Sequence, residues 1–445
     1  MNNLQDKHFT LPASHLLQLV HDTRDRTLGL LADLEDDQLN VPLLEVVNPF
    51  CWELGHVAFF YEAFLLRVLD QIEPIMKDGN DLYNSFTVDH DDRWALPLPS
   101  REKTADYMQK TFQLVTERLN SGEPSAVETY LYLLSVFHED MHGEAFTYMR
   151  QTLELPLPQF STSSAEETPA EQGEGPLPGD VDIPETIFQH GSTPDLPFVF
   201  DNEKWAHPVR VASFQIARAP VSNSQFSDFV NDGGYQRQEL WSTQGWIWRT
   251  KAGVRHPIYW SQGEKGWLRR HFNSLVPIEE NAPVIHVNWY ESEAYCVWAK
   301  RRLPTEPEWE LAASGTPHPA SGELSEEKRR YPWGDEDPTQ DHANLDSRHS
   351  GCVDVAAFPS GDSAFGCRQM IGNVWEWTAS PFYPFPGYIV DSPYKEYSAP
   401  WFGYRKVLKG GAWTTRSRLI SNAYRNFFTP DRNDIFAGFR TCAVD

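Results

Sequence analysis

His138 and His142 sit four residues apart in S-V-F-H-E-D-M-H-G-E-A-F, and His56 lies in a second apolar stretch, W-E-L-G-H-V-A-F-F. A four-residue step on a helix is about 400° of rotation, so both imidazoles of the pair leave one face, one turn apart. Two ligands at that spacing and a third from a neighbouring helix make a half-open metal site, which suits chemistry better than scaffolding. Other readings use the same residues. H-E-D-M-H matches the H-E-x-x-H of zinc hydrolases, with Glu139 as general base, but no H-x-x-G-x-x-H extension follows and Glu154 sits only twelve residues on, just before the prolines. A two-histidine, one-carboxylate site would use Glu144 in place of His56. Glu139 or Glu144 is also placed to orient a ligand histidine through its second nitrogen.

The ligands need stiff supports, and the first half of the chain supplies them. Leu16, Leu17, Val20, Leu28 and Leu31 recur at helical steps after Ser14, which reads as an N-cap. Further helices are predicted from Cys51 to about Asp70, from Arg101 to Asn120 and from Ser125 to Leu153, with a longer connection over 71–100. This describes a four-helix bundle over residues 1–154. Residues 155–186 are rich in Pro, Ser, Gly and Glu and read as a linker. From 187 to 445 short β-like segments alternate with Gly, Pro and Asn, and one helix stands out, S-E-A-Y-C-V-W-A-K-R-R. The fold class expected is an α bundle followed by an α+β domain.

The 445 residues carry a net charge of −25, which disfavours nucleic acid or an anionic membrane as partner and leaves small molecules. The five cysteines are scattered, without a C-x-x-C pair, as in reduced thiols. Neither a basic-then-apolar leader nor an apolar run of roughly 20 residues is seen, so a cytoplasmic protein, monomeric or a small homo-oligomer, is expected.

Five segments of the second half appear in a characteristic order: R-L-P-T-E-P-E-W-E (302–310), Y-P-W-G-D (331–335), G-N-V-W-E-W-T (372–378), L-K-G-G-A-W (408–413) and F-A-G-F-R (436–440). They resemble the formylglycine-generating-enzyme-like fold, a C-type-lectin-related module, although Cys442 stands without the partner that a formylglycine-generating enzyme uses. With a DinB-like three-histidine bundle in front, the whole chain resembles the EgtB family, iron(II)- and O2-dependent enzymes that join a sulfur donor to the imidazole C2 of hercynine. The resemblance implies that His56, His138 and His142 hold Fe(II), and that Met141 faces the substrate where the family carries Gln. It implies that Tyr394, in S-P-Y-K-E-Y-S, donates a proton or hydrogen in the oxygen chemistry, with Tyr397 beside it. The family's R-N-W-D-x-P-x-R appears as R-N-F-F-T-P-D-R, so Asn426, Phe427, Phe428 and Arg432 are the implied substrate contacts.

The arginine-rich segment that grips a γ-glutamyl-cysteine donor is absent; only Arg93 and Arg101 stand between the second and third helices. A lost carboxylate clamp and a gained phenyl ring favour a less anionic donor. On that basis the chain resembles the selenoneine synthase branch, whose donor is a selenosugar. Two alternatives remain: an ergothioneine-pathway sulfoxide synthase using cysteine or γ-glutamyl-cysteine, and a non-catalytic lectin-like binding module.

Overall fold

The computed structural model describes residues 8–159, 174–317, 324–325 and 327–444. They form two compact units. One takes the described residues up to 159 together with Pro194–Asp201 and Ile389–Pro400, and the other takes the rest.

The first unit is helical. Its helices are α1 (Ala13–Gly29), α2 (Phe50–Tyr61), α3 (Arg101–Asn120) and α4 (Ala126–Thr152). Helix α1 starts after Pro12, with no side-chain cap, so Ser14 lies inside it rather than capping it. Its buried stripe is Leu16, Val20, Thr23, Arg24 and Thr27, whereas Leu28 is exposed. The polar members are satisfied by α4: Thr23 Oγ1 donates to Asp140 Oδ1 at 2.9 Å, and Arg24 Nε to Glu139 Oε1 at 2.9 Å. Helix α2 is buried on nearly every side, which its largely apolar sequence allows, with Glu53 and His56 as its buried polar members. It runs on through a π-helical turn, Glu62–Leu66, into Arg67–Asp70. Helix α4 opens with a reciprocal capping box between Ser125 and Glu128.

The two downstream excursions join this unit through aromatic packing. Phe198 stacks on Tyr130, Phe200 on Tyr397, and Tyr394 lies edge-on to Phe60. Tyr130 Oη donates to Asp391 Oδ2 at 2.8 Å, and Ser398 Oγ to Asp201 Oδ1 at 2.5 Å.

The second unit is built on two four-stranded sheets. Strands β1 (Asp180–Ile183), β2 (Phe214–Ala217), β8 (Cys442–Ala443) and β3 (Arg301–Arg302) form one; β6 (Asn426–Phe428), β5 (Lys406–Lys409), β4 (Trp375–Pro381) and β7 (Ala437–Gly438) form the other. Three of the five segments singled out in the sequence converge on the buried carboxylate of Glu376. Trp309 Nε1 donates to it at 2.7 Å and Arg440 grips it with two nitrogens at 2.6 and 2.7 Å. Trp375, Trp377 and Trp413 are buried beside it as core.

Two expectations are corrected. Strand β1 falls within 155–186, so the segment expected as linker already carries sheet at its end, while its residues 160–173 lie outside the described ones. The helix expected at 292–302 is Trp289–Ala299, because Lys300 turns left-handed (φ 55°) and Arg301–Arg302 pair as a strand. It is also accompanied by other helices, Asn223–Asn231, Thr243–Ala252 and Glu306–Ser314. Among the described residues no helix is long and apolar enough to cross a membrane.

Candidate metal centre

His56 comes from α2, and His138 and His142 come from α4. One ring nitrogen from each lies within 4.8 Å of the other two, a spacing that a single ion can bridge. The ring centroids are 4.5–5.1 Å apart. His56 and His138 are buried, and His142 is partly exposed, so the cluster has one wetter side.

Each imidazole is held differently. His56 Nδ1 lies 2.8 Å from the Tyr83 carbonyl, which takes its proton and leaves Nε2 with a lone pair. The ring also stacks on Trp52, 4.9 Å between centroids. The approach of Tyr83 depends on Gly55, where a Cβ would collide with the Tyr83 ring. His142 Nδ1 donates to Glu53 Oε2 at 2.5 Å. Glu53 is held in turn by Asn48 Nδ2 on its other oxygen, and Asn48 accepts from Arg93 Nη1 at 2.6 Å. His138 differs: its Nδ1 is buried with no hydrogen-bond partner among the described residues, and its ring lies against Phe60 at 3.6 Å between centroids and 12° between planes.

The electrostatics suit a cation. Burial, then the neighbouring His142, pulls His56 down to about 3, and burial followed by the other two histidines lowers His138 well below the ordinary histidine range. Both rings are therefore neutral at pH 7, as ligands must be. Burial alone would raise Glu53, but the His142 charge and hydrogen bond, His56 and Asn48 bring it to about 2, so a fixed negative charge sits behind the cluster. Three imidazoles, two of them on rings held neutral, are a donor set that fits a borderline divalent ion such as Fe(II) and leave coordination positions open.

Glu139 does not face this site. It follows His138 by one residue, hence about 100° around the helix, and pairs with buried Arg24. It is neither a general base next to the cluster nor the carboxylate that orients a ligand. The third member of the cluster is His56, not Glu144. Both alternative metal readings lose their geometry here. Glu53, Asn48 and Tyr83 escaped the sequence reading; the one signal for Glu53 was its position three residues before His56, on the same face of α2.

Tyr394 is brought to the cluster within the same unit. Its ring lies 5.9 Å from His138 and 5.0 Å from Phe60, both near perpendicular. Burial, then Glu396, raises its phenol above the ordinary range, so it stays protonated. Tyr397 is 5.6 Å from Tyr394, and its Oη meets Met141 Sδ at 3.8 Å, which joins three expected site residues. The other expected contacts belong to the second unit. Asn426 Oδ1 accepts from Phe427 N at 2.8 Å, Phe427 stacks on Phe382 at 4.0 Å in a small core, and Arg432 lies over Phe428 while pairing with Asp434 at 2.5 and 2.6 Å.

A second cluster, His190, Glu306 and Glu310, has metal-ligand composition in the second unit. Its carboxylates are already met by Arg425 on Glu306 and by Lys328 and Lys409 on Glu310, so a divalent ion would face their cations.

Residues 165–444 match the sulfatase-modifying factor enzyme 1-like domain, and residues 19–148 match the DinB superfamily. The hercynine oxygenase of Mycobacterium tuberculosis is 37% identical over 421 residues, 94% of this chain and 96% of its own length. That of Mycolicibacterium thermoresistibile is 36% identical over 442 residues, 96% of this chain and 94% of its own. The formylglycine-generating enzyme of Thermomonospora curvata is 29% identical over 327 residues, 65% of this chain and 99% of its own.

Proposed function

This chain belongs to the hercynine oxygenase family of oxygenase-type enzymes, and we propose that it uses Fe(II) and O2 to join imidazole C2 of hercynine to the selenium of a selenosugar. The observation that carries the iron reading is the convergence of His56, His138 and His142, two of them neutral by burial. A ferrous ion held there supplies the electrons by which O2 reacts with a closed-shell substrate. Tyr394 keeps its proton at Oη beside His138 and is the assigned donor, with Tyr397 supporting it. Met141 is assigned to the hercynine side. Asn426, Phe427, Phe428 and Arg432 are assigned to substrate contacts by family resemblance.

Charge accounting supports the donor class. Arg93 is committed to Asn48 and lies 3.8 Å over the Trp52 ring, and Arg101 donates to the carbonyls of Leu34 and Leu31. Arg432 is neutralised by Asp434. Of these three guanidiniums only Arg93 lacks a carboxylate partner among the described residues, so a donor with two carboxylates finds no clamp for both, whereas a neutral sugar needs none. The second reading is C–S bond formation with cysteine or γ-glutamyl-cysteine, which the family membership favours.

The protein, reconstituted with Fe(II) under argon and then given O2 and hercynine, is offered a selenosugar, a thiosugar, cysteine or γ-glutamyl-cysteine, and products are read by mass. Turnover with γ-glutamyl-cysteine and none with the selenosugar reverses the donor assignment. His138→Ala is expected to lose metal loading, and Tyr394→Phe to keep it while slowing or redirecting the oxygen chemistry. Equal metal content in His138→Ala and wild type contradicts the ligand set.

A further inference from the structure

Two of the three clustered imidazoles have a hydrogen bond that fixes their tautomer and ring angle, from the Tyr83 carbonyl and from Glu53. The third has none among the described residues, where His138 Nδ1 is buried and unpartnered. A ligand ring without an outer-shell partner is free to rotate about χ2 unless packing stops it, since that torsion is broad. Phe60 is what packs there. It is buried, one helical turn beyond His56 on α2, and lies nearly parallel to His138, with 3.6 Å between centroids. Phe60 is itself locked: Phe64, from the π-helical turn, stacks on it at 4.4 Å and Tyr394 meets it edge-on at 5.0 Å. Phe64 is the middle residue of that widened turn, which shifts its direction relative to a regular helix.

We propose that Phe60 is a positioning residue for the metal centre, holding the His138 ring plane by face-to-face packing in place of the hydrogen bond that the other two ligands have. The proposal rests on the three-imidazole reading of the site.

The test uses Co(II) as the probe on the full chain stripped of metal. Phe60→Leu keeps apolar bulk but removes the flat face. Phe59→Leu, at an equally buried neighbour that packs into the core and under Arg67, is the control for a generic cavity. Wild type is expected to bind one Co(II) with a defined visible d–d spectrum. Phe60→Leu should bind it about tenfold more weakly with a shifted spectrum, the loss typical of outer-shell changes. Phe59→Leu should lower the melting temperature to a similar degree yet keep wild-type affinity and spectrum. A Phe60→Leu protein with wild-type affinity and spectrum overturns the proposal, as does a Phe59→Leu protein that reproduces the Phe60→Leu changes. Failure of the wild type itself to bind Co(II) is a separate result, which removes the three-imidazole reading and this inference with it.

Discussion

Glu53 and Glu139 flank the histidine cluster in sequence, yet only one of them serves it. Glu139 is adjacent to His138 along the chain and turned away from it in space, toward Arg24. Glu53 is remote from His142 along the chain and bonded to it. The pairing of His138 with His142 was legible because helical spacing puts residues four apart on one face; the groups that hold the rings were not, because they depend on which helices face each other. Glu53→Gln keeps an acceptor for His142 but removes the charge. It should weaken Co(II) or anaerobic Fe(II) binding by about 10- to 100-fold with the fold intact, checked by chelator competition and circular dichroism. Gly55→Ala should act one step further back. Its methyl displaces Tyr83, whose carbonyl holds His56, so we expect a loss of about 1–3 kcal/mol in urea unfolding together with weaker metal binding.

Among the elements, long helices announced themselves and short ones did not. Helices α3 and α4 run Arg101–Asn120 and Ala126–Thr152, close to the bounds that periodicity suggests. The short helices of the second unit carry too few turns for a periodic stripe, but two of them show their start in capping boxes, Ser222 with Gln225 and Thr305 with Glu308. Asn288 and Glu291 form a third box, at the helix that was expected, and there burial adds a pH dependence. Burial lifts Glu291 to about 7, against the hydrogen bonds from Tyr235 and the Asn288 amide. A carboxyl raised in the folded state contributes stability in full below its ordinary pKa of 4.5 and loses it as pH rises through 7. Glu291→Gln keeps the acceptor without the titration. The wild type's unfolding free energy should therefore fall relative to the variant's between pH 5 and 8, by an amount on the order of 1–3 kcal/mol, read in urea unfolding at each pH.

At the scale of the whole molecule, the order of family matches along the chain, DinB and then the sulfatase-modifying-factor-like domain, was readable from the helical first half and the recurring segments of the second. The unit boundaries were not, because Pro194–Asp201 and Ile389–Pro400 join the helices through aromatic contacts that no local pattern encodes. Metal should tie α2 to α4. Saturating Co(II), at a hundredfold excess over its dissociation constant, is expected to stabilise the unit by about 2.7 kcal/mol, read as a chelator-reversible rise in melting temperature. His56→Ala should abolish that rise.

The Ile389–Pro400 excursion also limits how this protein can be recombined. A chimera that takes its N-terminal half from one relative would inherit that relative's three imidazoles but keep the recipient's phenol, since Tyr394 travels with the other half of the gene. The proposed ligand set and the proposed hydrogen donor are thus encoded in separately exchangeable stretches, and a crossover between them pairs parts that were never selected together.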